Sequence, residues 1–192
     1  MREYDLIADW FRKDRSSTIG VSEALELAAK LRNASVILDL GCGNGQPVAK
    51  ALSAKGHRVV GLDSSMGMLA HLRADLPNIP AVCSDARACP FASATFDAAI
   101  SMGMLFHLRP LEQAAAFASV SRVLKPKALF LFTGAEIPGA TDEGITGEMN
   151  GVTFRYYAVR SYRTMLAEHG FTLIDVHDDP GVATYYLATR QP

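Results

Sequence analysis

Residues 36–45 are the segment that most constrains the fold of this chain. They read Val-Ile-Leu-Asp-Leu-Gly-Cys-Gly-Asn-Gly, and the apolar run at the start is typical of a strand buried on both faces of a parallel sheet. Three glycines at alternate positions follow, and a helix-forming stretch begins at Val48. Because glycine has no Cβ, the backbone can turn sharply and approach a ligand closely. The segment therefore predicts the first strand, glycine turn and helix of a nucleotide-binding α/β fold.

The spacing of these glycines separates two classes of ligand. Gly41, Gly43 and Gly45 form G-x-G-x-G, whereas the dinucleotide fingerprint is G-x-G-x-x-G. Gln46 stands where the third fingerprint glycine would fall, and Asp39 lies two positions before the first glycine. A carboxylate there is unfavourable for a pyrophosphate and suits a ligand that carries an ammonium or sulfonium group.

A second apolar run, residues 58–63, ends in another acid. Asp63 follows Gly41 by 22 residues, close to the spacing of about 20 residues at which a carboxylate binds a ribose diol. A carboxylate can accept hydrogen bonds from both hydroxyl groups at once. The sequence therefore predicts a ribose-binding acid at the end of the second strand.

The string D-x-G-C-G-x-G at residues 39–45 resembles motif I of the class I S-adenosylmethionine (SAM) dependent methyltransferases, of the type-11-like group. Four later segments resemble further motifs of that family, in the same order. They are Arg-Val-Val-Gly-Leu-Asp at 58–63, Ser-Asp-Ala at 84–86, Phe-Asp-Ala-Ala-Ile-Ser-Met at 96–102 and Leu-Lys-Pro at 124–126. The resemblance covers most of residues 36–134.

Strand-like and helix-like segments alternate from Val36 to Phe132, which predicts a parallel sheet with helices on both faces. Residues 171–177 and 183–189 have strand patterns and are joined by the short connection 178–181, which predicts an antiparallel hairpin. The resemblance implies a Rossmann-like, doubly wound α/β fold with strand order 3-2-1-4-5-7-6, closed by this terminal hairpin.

The length predicts a single domain, residues 1–192. We interpret residues 1–32 as an N-terminal helical cap and residues 134–158 as an insertion or lid. Within that insertion, residues 134–151 contain five glycines and predict a long loop. Three segments outside the central alternation have helical patterns: 3–12, 20–32 and 159–168.

One departure from the family pattern lies at Lys127-Ala128, where the family usually has two glycines. A turn that requires a positive φ is strained when lysine occupies it. The sequence therefore predicts unusual geometry in this turn and no change in the fold.

The resemblance implies that SAM is the cofactor and S-adenosylhomocysteine (SAH) the product. Gly41 and Gly43 give the backbone room, and Gly45 begins a helix whose N–H groups can face a carboxylate. Asp39 is expected at the methionyl amine and Asp63 at the ribose. The remaining expected contacts are Ser64 and Met68 near the ribose, Asp85, Ala86 and Arg87 at the adenine, Ser101 and Met102 beside the amino-acid end or the sulfur, and Tyr4 at the SAM carboxylate.

Methyl transfer from a sulfonium is an in-line displacement with a neutral thioether as leaving group, so no leaving-group acid is required. The protein must align the acceptor and exclude water, and a hydroxyl or thiol acceptor also needs a base. His107 is the candidate base, because it follows the fourth strand at the ligand-binding edge and its ordinary pKa lies near neutrality. A structural hydrogen bond is the alternative role.

Two segments could cover the acceptor. One is residues 4–12, which contains Trp10, and the other is residues 148–157, which contains Arg155 and Tyr156. A guanidinium flanked by aromatic rings suits an acidic or planar acceptor. The alternative interpretation is an amphipathic lid that packs on the sheet.

The composition narrows the class of partner. The net charge is −1, with 19 basic and 20 acidic residues and no basic block, so nucleic acid is not an expected partner. The three cysteines lack zinc spacing, so we expect no metal and a reduced, cytoplasmic protein. No apolar window reaches the 18 residues of a membrane span. The oligomeric state is left open.

Three functions remain for comparison. The first is a SAM-dependent methyltransferase that acts on a small-molecule acceptor. The second is a SAM-binding module without transfer activity. The third is a nicotinamide oxidoreductase, which Gln46 and Asp39 disfavour for the reasons given above.

Overall fold

A mixed β-sheet with helices on both faces forms the body of the chain. The computed structural model describes residues 2–14, 18–179 and 183–192, with only the backbone of Arg2. The strands are β1 (Val36–Leu40), β2 (Arg58–Asp63), β3 (Ala81–Cys83), β4 (Phe96–Ser101), β5 (Leu124–Gly134), β6 (Ile145–Met149), β7 (Val152–Tyr156), β8 (Phe171–Asp178) and β9 (Thr184–Arg190). The helices are α1 (Arg2–Asp14), α2 (Val21–Ala28), α3 (Val48–Ala54), α4 (Met66–Asp75), α5 (Pro110–Val123) and α6 (Tyr162–Glu168), with short 3-10 turns at Ala86–Ala88 and Leu105–His107.

The main sheet has the order β3-β2-β1-β4-β5-β9-β8. Neighbouring strands from β1 to β5 pair in parallel, whereas β9 pairs antiparallel with both β5 and β8. The Rossmann-like sheet and its antiparallel end are thus confirmed. The expected order 3-2-1-4-5-7-6 differs in the numbers of the last two strands, because two further strands precede them in the chain.

Those two strands correct the prediction of a long loop over residues 134–151. β6 and β7 form a separate antiparallel hairpin, so only residues 135–144 connect it to β5. Asn150 and Gly151 make the tight turn, and both have positive φ (47° and 73°). Asn-Gly is the dipeptide that two-residue hairpin turns favour. The glycine content of the segment hid this signal in the sequence.

Alternate residues of each central strand enter two different apolar layers, as the period of a strand requires. In β1, Leu38 belongs to the layer under α5 and α6, while Ile37 belongs to the layer under α2, α3 and α4. Both side chains are fully buried. A third, smaller cluster joins α1 to the β6–β7 hairpin through Ile7 and Phe154. The hairpin and α1 therefore form one cover beside the sheet.

The helix ends differ from the sequence prediction by a few residues. α1 extends to Asp14 rather than residue 12, and α2 ends at Ala28 rather than residue 32. α6 begins at Tyr162 rather than residue 159, because the Ser161 side chain accepts a hydrogen bond from the Thr164 N–H and caps the helix there. In the connection 178–181, residues 180–181 lie outside the described part of the chain.

Lys127 has a φ of 65°, in the left-handed region that a lysine rarely adopts. The prediction of unusual geometry in this turn is therefore confirmed, and the pairing of β5 with β4 shifts register here, from Phe96 opposite Leu124 to Ala98 opposite Leu129, and then continues in parallel. Among the described residues, no helix combines the length and the apolar character that crossing a membrane requires.

Candidate functional site

A cavity of about 300 Å³ lies at the carboxyl ends of β1, β2, β3 and β4. This is the edge at which open α/β sheets bind ligands. Each of these strands contributes the residues that follow it directly. The lining consists of Tyr4, Phe11, Asp39, Gly41, Cys42, Gly43, Gly45, Gln46, Pro47, Val48, Leu62, Asp63, Ser64, Met68, Ser84, Asp85, Ala86, Arg87, Met102, Gly103, Met104, His107, Leu108 and Glu112.

The glycine turn after β1 forms the floor of this cavity. Gly41, Gly43 and Gly45 all have positive φ (75°, 53° and 75°), which L-residues with a side chain rarely adopt. A Cβ on Gly41 would lie 2.5 Å from Cγ of Met104. The turn thus requires glycine for its backbone conformation and for the space that it leaves.

Asp63, at the end of β2, is held by the backbone. Its Oδ2 accepts a hydrogen bond from the Gly43 N–H and its Oδ1 accepts one from the Ser65 N–H, both at 2.8 Å. Each carboxylate oxygen has two acceptor positions, so the two hydrogen bonds fix the group without using up its capacity. Burial raises the pKa of Asp63 above its usual value, although the backbone hydrogen bonds oppose that shift.

Asp85, after β3, pairs with an arginine at the other end of the cavity. The Arg87 backbone N–H donates to Oδ1 at 2.8 Å, and the guanidinium donates to both carboxylate oxygens. A further N–H of the guanidinium donates to Glu112 of α5. Hydrogen bonding from Arg87 holds the pKa of Asp85 below its usual value. Arg87 therefore links two carboxylates at the cavity edge.

Asp39, the residue before the last of β1, also lines the cavity, and only 4% of its surface is exposed. Cys42 is buried nearby, and burial raises the pKa of its thiol well above the usual value. A thiol in that state is a poor nucleophile. This agrees with the interpretation of Cys42 as a small buried residue of the glycine turn.

One wall of the cavity comes from α1. Tyr4 and Phe11 both line it, and their separation of two helical turns places them on the same face of the helix. The Tyr4 and Phe11 rings meet edge to face, with centroids 5.8 Å apart. The rings therefore cover the cavity as one surface.

Polar contacts of Asp5 and Arg12 hold α1 along the two ends of α4, and a contact between Asp9 and His71 lies between them. Asp5 accepts hydrogen bonds from the Ser65 hydroxyl (2.6 Å) and from the Gly67 N–H (2.8 Å), at the start of α4. Arg12 donates from Nε to Asp75 at 2.9 Å, at the end of α4. The hydrogen bond from Ser65 lowers the pKa of Asp5. The wall is thus fixed at both ends.

His107 lies where the cavity meets the cover formed by α1 and the hairpin. Its Nε2 is 2.9 Å from the Tyr4 hydroxyl, and its Nδ1 is 3.1 Å from the backbone carbonyl of Arg155. Only 8% of the residue is exposed. Burial lowers the pKa of His107 below its ordinary value, which favours the neutral ring at neutral pH.

The cavity brings together the predicted catalytic residue and all but one of the predicted cofactor contacts. The exception is Ser101, which is fully buried within the sheet and donates its hydroxyl hydrogen bond to the Leu40 carbonyl (3.0 Å). It lies outside the lining, and its hydroxyl is used by the neighbouring strand β1. The predicted residues that do line the cavity are Tyr4, Asp39, Gly41, Gly43, Asp63, Ser64, Met68, Asp85, Ala86, Arg87, Met102 and His107.

The three predicted acceptor contacts also lie outside the lining. Trp10 packs against the third apolar cluster. The Arg155 guanidinium donates to the Glu143 carbonyl (3.1 Å) in the preceding loop. The Tyr156 ring packs on the His107 ring without lining the cavity, and the two ring centroids are 4.8 Å apart. The alternative interpretation of this segment, an amphipathic lid, describes these positions better.

Sequence reasoning missed several lining residues, among them Phe11 and Glu112. Phe11 could have been found from its helical spacing to Tyr4. Glu112 occupies the third position of a capping box that begins at Arg109, a signal that marks a helix start and not a binding site. In the described ranges, no group of three or more residues has the arrangement of metal ligands.

A family model described as a methyltransferase domain matches residues 37–127. This segment runs from β1 to the start of β5 and supplies nearly the whole lining of the cavity. The segments outside it include α1, α2, most of β5, the β6–β7 hairpin, α6 and the antiparallel strands β8 and β9.

Two curated relatives differ in how much of their length this chain covers. An uncharacterised protein of Methanocaldococcus jannaschii is 28% identical over 89% of this chain and 75% of its own length. A malonyl-[acyl-carrier protein] O-methyltransferase of a Methylovorus species is 33% identical over 68% of this chain, but the match spans only 45% of that protein. The chain therefore covers less than half of the relative with a named activity.

Among solved structures, a 1,6-didemethyltoxoflavin-N1-methyltransferase of Burkholderia thailandensis superimposes with a TM-score of 0.75. The alignment covers 100% of this chain and 87% of that one, at 20% identity. That structure contains bound 1,6-didemethyltoxoflavin and SAH. Identity at this level establishes the shared fold.

Proposed function

Since the chain belongs to the class I SAM-dependent methyltransferases, we propose that it transfers the methyl group of SAM to a small-molecule acceptor. The observation that carries this proposal is the order of groups along the cavity. Asp85, Asp63 and Asp39 lie at the carboxyl ends of three neighbouring strands, β3, β2 and β1, and the glycine turn lies beside them. Each group suits one part of SAM.

The cavity fits this cofactor in chemistry as well as in position. Asp63 keeps acceptor capacity on both oxygens, as a ribose diol requires. The floor at Gly41 would be filled by a Cβ, which is the expected property of a backbone that approaches a ligand closely. Asp39 supplies a negative charge at the methionyl end.

The residues of this chain then act by holding SAM in position and by shielding it from water. SAM supplies a methyl group on a positively charged sulfur. Asp39 and Asp63 fix the position of the bound molecule, and Asp85 with the backbone of Ala86 is placed for the adenine ring. Tyr4 and Phe11 on α1 cover the cavity and exclude water, which favours displacement reactions of charged groups.

Two observations favour a small molecule as the methyl acceptor. The cavity is partly covered by α1, since Tyr4 and Phe11 belong to its lining. The structurally similar enzyme of Burkholderia thailandensis has 1,6-didemethyltoxoflavin bound in its structure. Nucleic acid as acceptor is disfavoured by the near-neutral charge of the chain. The cytoplasmic location stays a prediction.

Isothermal titration with SAM and SAH tests the cofactor assignment, and we expect binding of both. Incubation with SAM and a library of small molecules, followed by mass spectrometry, tests transfer. We expect a product heavier by one methylene group and an equal amount of SAH. Binding without any methylated product would favour a SAM-binding module, and binding of NADH in place of SAM would favour an oxidoreductase.

A further inference from the structure

His107 lies beyond the three carboxylates expected at the adenine, the ribose and the methionyl amine of SAM, and Tyr4 is hydrogen-bonded to it. The carboxylates proposed for adenine, ribose and methionine lie at the carboxyl ends of β3, β2 and β1, in that spatial order. His107 belongs to the segment after β4, the next strand along the sheet. Tyr4 reaches this segment from α1. The pair therefore stands beyond the methionine end, where the acceptor must approach.

The two hydrogen bonds of His107 determine which group is the donor and which is the acceptor in each. A backbone carbonyl can only accept, so the contact with the Arg155 carbonyl requires a hydrogen on Nδ1. In the neutral ring, Nε2 then has the lone pair and accepts from the Tyr4 hydroxyl. The single proton of Tyr4 is committed to His107. Toward the cavity, Tyr4 can therefore act only as an acceptor.

This geometry corrects the expected role of Tyr4. A SAM carboxylate needs a hydrogen-bond donor, and the Tyr4 hydroxyl already donates to His107. What the Tyr4 oxygen can receive is a ligand that itself carries an O–H or N–H group. The residue thus fits a protic acceptor better than the carboxylate of SAM.

The surroundings keep His107 neutral and fixed. Tyr4 and Glu3 face it from α1, and Tyr156 packs on it from β7. Glu3 favours the protonated ring electrostatically, but burial outweighs this effect and lowers the pKa of His107. Phe154 also packs on the ring, with centroids 5.6 Å apart. The imidazole is therefore held in position as a proton acceptor.

We propose that Tyr4 and His107 together accept the proton of a phenol or enol hydroxyl on the methyl acceptor. This inference rests on the proposed function. Two apolar residues of the lining adjoin the pair: the Phe11 ring contacts Tyr4, and the Met104 carbonyl accepts a hydrogen bond from the His107 N–H. Such a lining suits a planar, uncharged body. An amine that is already neutral needs no base before attack, and the proton of an aliphatic alcohol is too weakly acidic for an imidazole to take.

Every proton and electron pair of this transfer is accounted for by the acceptor, Tyr4 and His107. The acceptor O–H bond breaks and its electron pair stays on the acceptor oxygen, which becomes the nucleophile. The proton forms a new O–H bond with Tyr4, while the original Tyr4 proton moves to Nε2 of His107. The product is a neutral Tyr4 and a His107 imidazolium, which releases its proton to water after the reaction. Tyr4 is the catalytic residue in this scheme, and His107 acts through it.

The test uses 4-nitrophenol as a probe, because its phenolate is coloured and its ionisation can be measured without turnover. The full chain is saturated with SAH and titrated with the probe at a pH about one unit below the pKa of the free probe. We expect the ratio of ionised to neutral probe to be about tenfold higher when it is bound, a shift of one pKa unit. Equilibrium dialysis measures binding separately from colour.

Variants separate proton transfer from packing. Tyr4→Phe and His107→Gln should bind the probe but leave its ionisation as in water. Tyr156→Phe is the matched control, because this ring contacts His107 from outside the cavity lining, and it should behave as the wild type. Bound probe that stays neutral in the wild type, or no binding of probe to the SAH complex, overturns the proposal. Failure to bind SAH would instead contradict the proposed function.

Discussion

The Asp63 carboxylate accepts a hydrogen bond from the Gly43 N–H at 2.8 Å, across 20 residues of sequence. The end of β2 is thereby connected directly to the glycine turn after β1. A change in the acid should therefore alter two parts of the cofactor site at once, the ribose contact and the shape of the turn.

Replacement of Asp63 by alanine should weaken SAM binding by about 1–3 kcal/mol, the range for loss of a hydrogen-bonded partner at a buried site. The Gly43 N–H would also lose its acceptor. Isothermal titration measures the change. Asp175→Ala is the control, because Asp175 lies on β8, away from the cavity lining. Equal affinities of wild type and Asp63→Ala would remove Asp63 from the proposed site.

Gly41→Ala should abolish measurable SAM binding. The new Cβ would meet the Met104 side chain at 2.5 Å, and the φ of 75° adds backbone strain. Gly139→Ala is a matched control, since Gly139 has a φ of 87° but nothing within 4 Å of its Cβ position. The control should lose about 1–2 kcal/mol of stability from strain alone and keep its SAM affinity. Urea unfolding and titration measure the two quantities, and normal affinity of Gly41→Ala would contradict the close approach.

Asp5→Ala should weaken both the fold and SAM binding, because Asp5 satisfies the start of α4 from the helix that bears Tyr4 and Phe11. Loss of a capping acceptor costs about 0.5–2 kcal/mol. Asp9→Ala serves as control, since the Asp9 side chain is 89% exposed and pairs with His71 of α4, outside the cavity lining. We expect Asp9→Ala to change SAM affinity little. A larger loss of SAM affinity in Asp9→Ala than in Asp5→Ala would show that α1 does not shape the site through Asp5.

His107 should make the stability of the protein depend on pH. Burial lowers its folded-state pKa below the ordinary 6.5, so between the two values the unfolded chain binds a proton that the folded chain does not. The contribution is fully present above the unfolded value and is lost as pH falls through the folded pKa. The free energy of unfolding of the wild type relative to His107→Gln should therefore decrease from about pH 7.5 to about pH 5. A constant difference over this range would contradict a lowered pKa.

The local motifs could be interpreted correctly because their physical causes lie within a few residues. A buried strand followed by glycines with positive φ has few structural solutions, and an acid that directly follows a parallel strand reaches the same sheet edge as its neighbours. Asp39, Asp63 and Asp85 could therefore be assigned to one site from sequence alone. The Asn-Gly turn of the β6–β7 hairpin was also local, but the surrounding glycines obscured it.

What the sequence by itself determined is the sheet edge and the residues that follow its strands, since short-range backbone geometry places them there. The tertiary structure alone decided which distant side chains meet. Tyr4 and His107 are separated by 103 residues, and their contact depends on how α1 and the hairpin pack together. Ser101 and Arg155 lie outside the cavity lining for the same reason, because packing determines the direction of a side chain and no pattern of neighbouring residues records it.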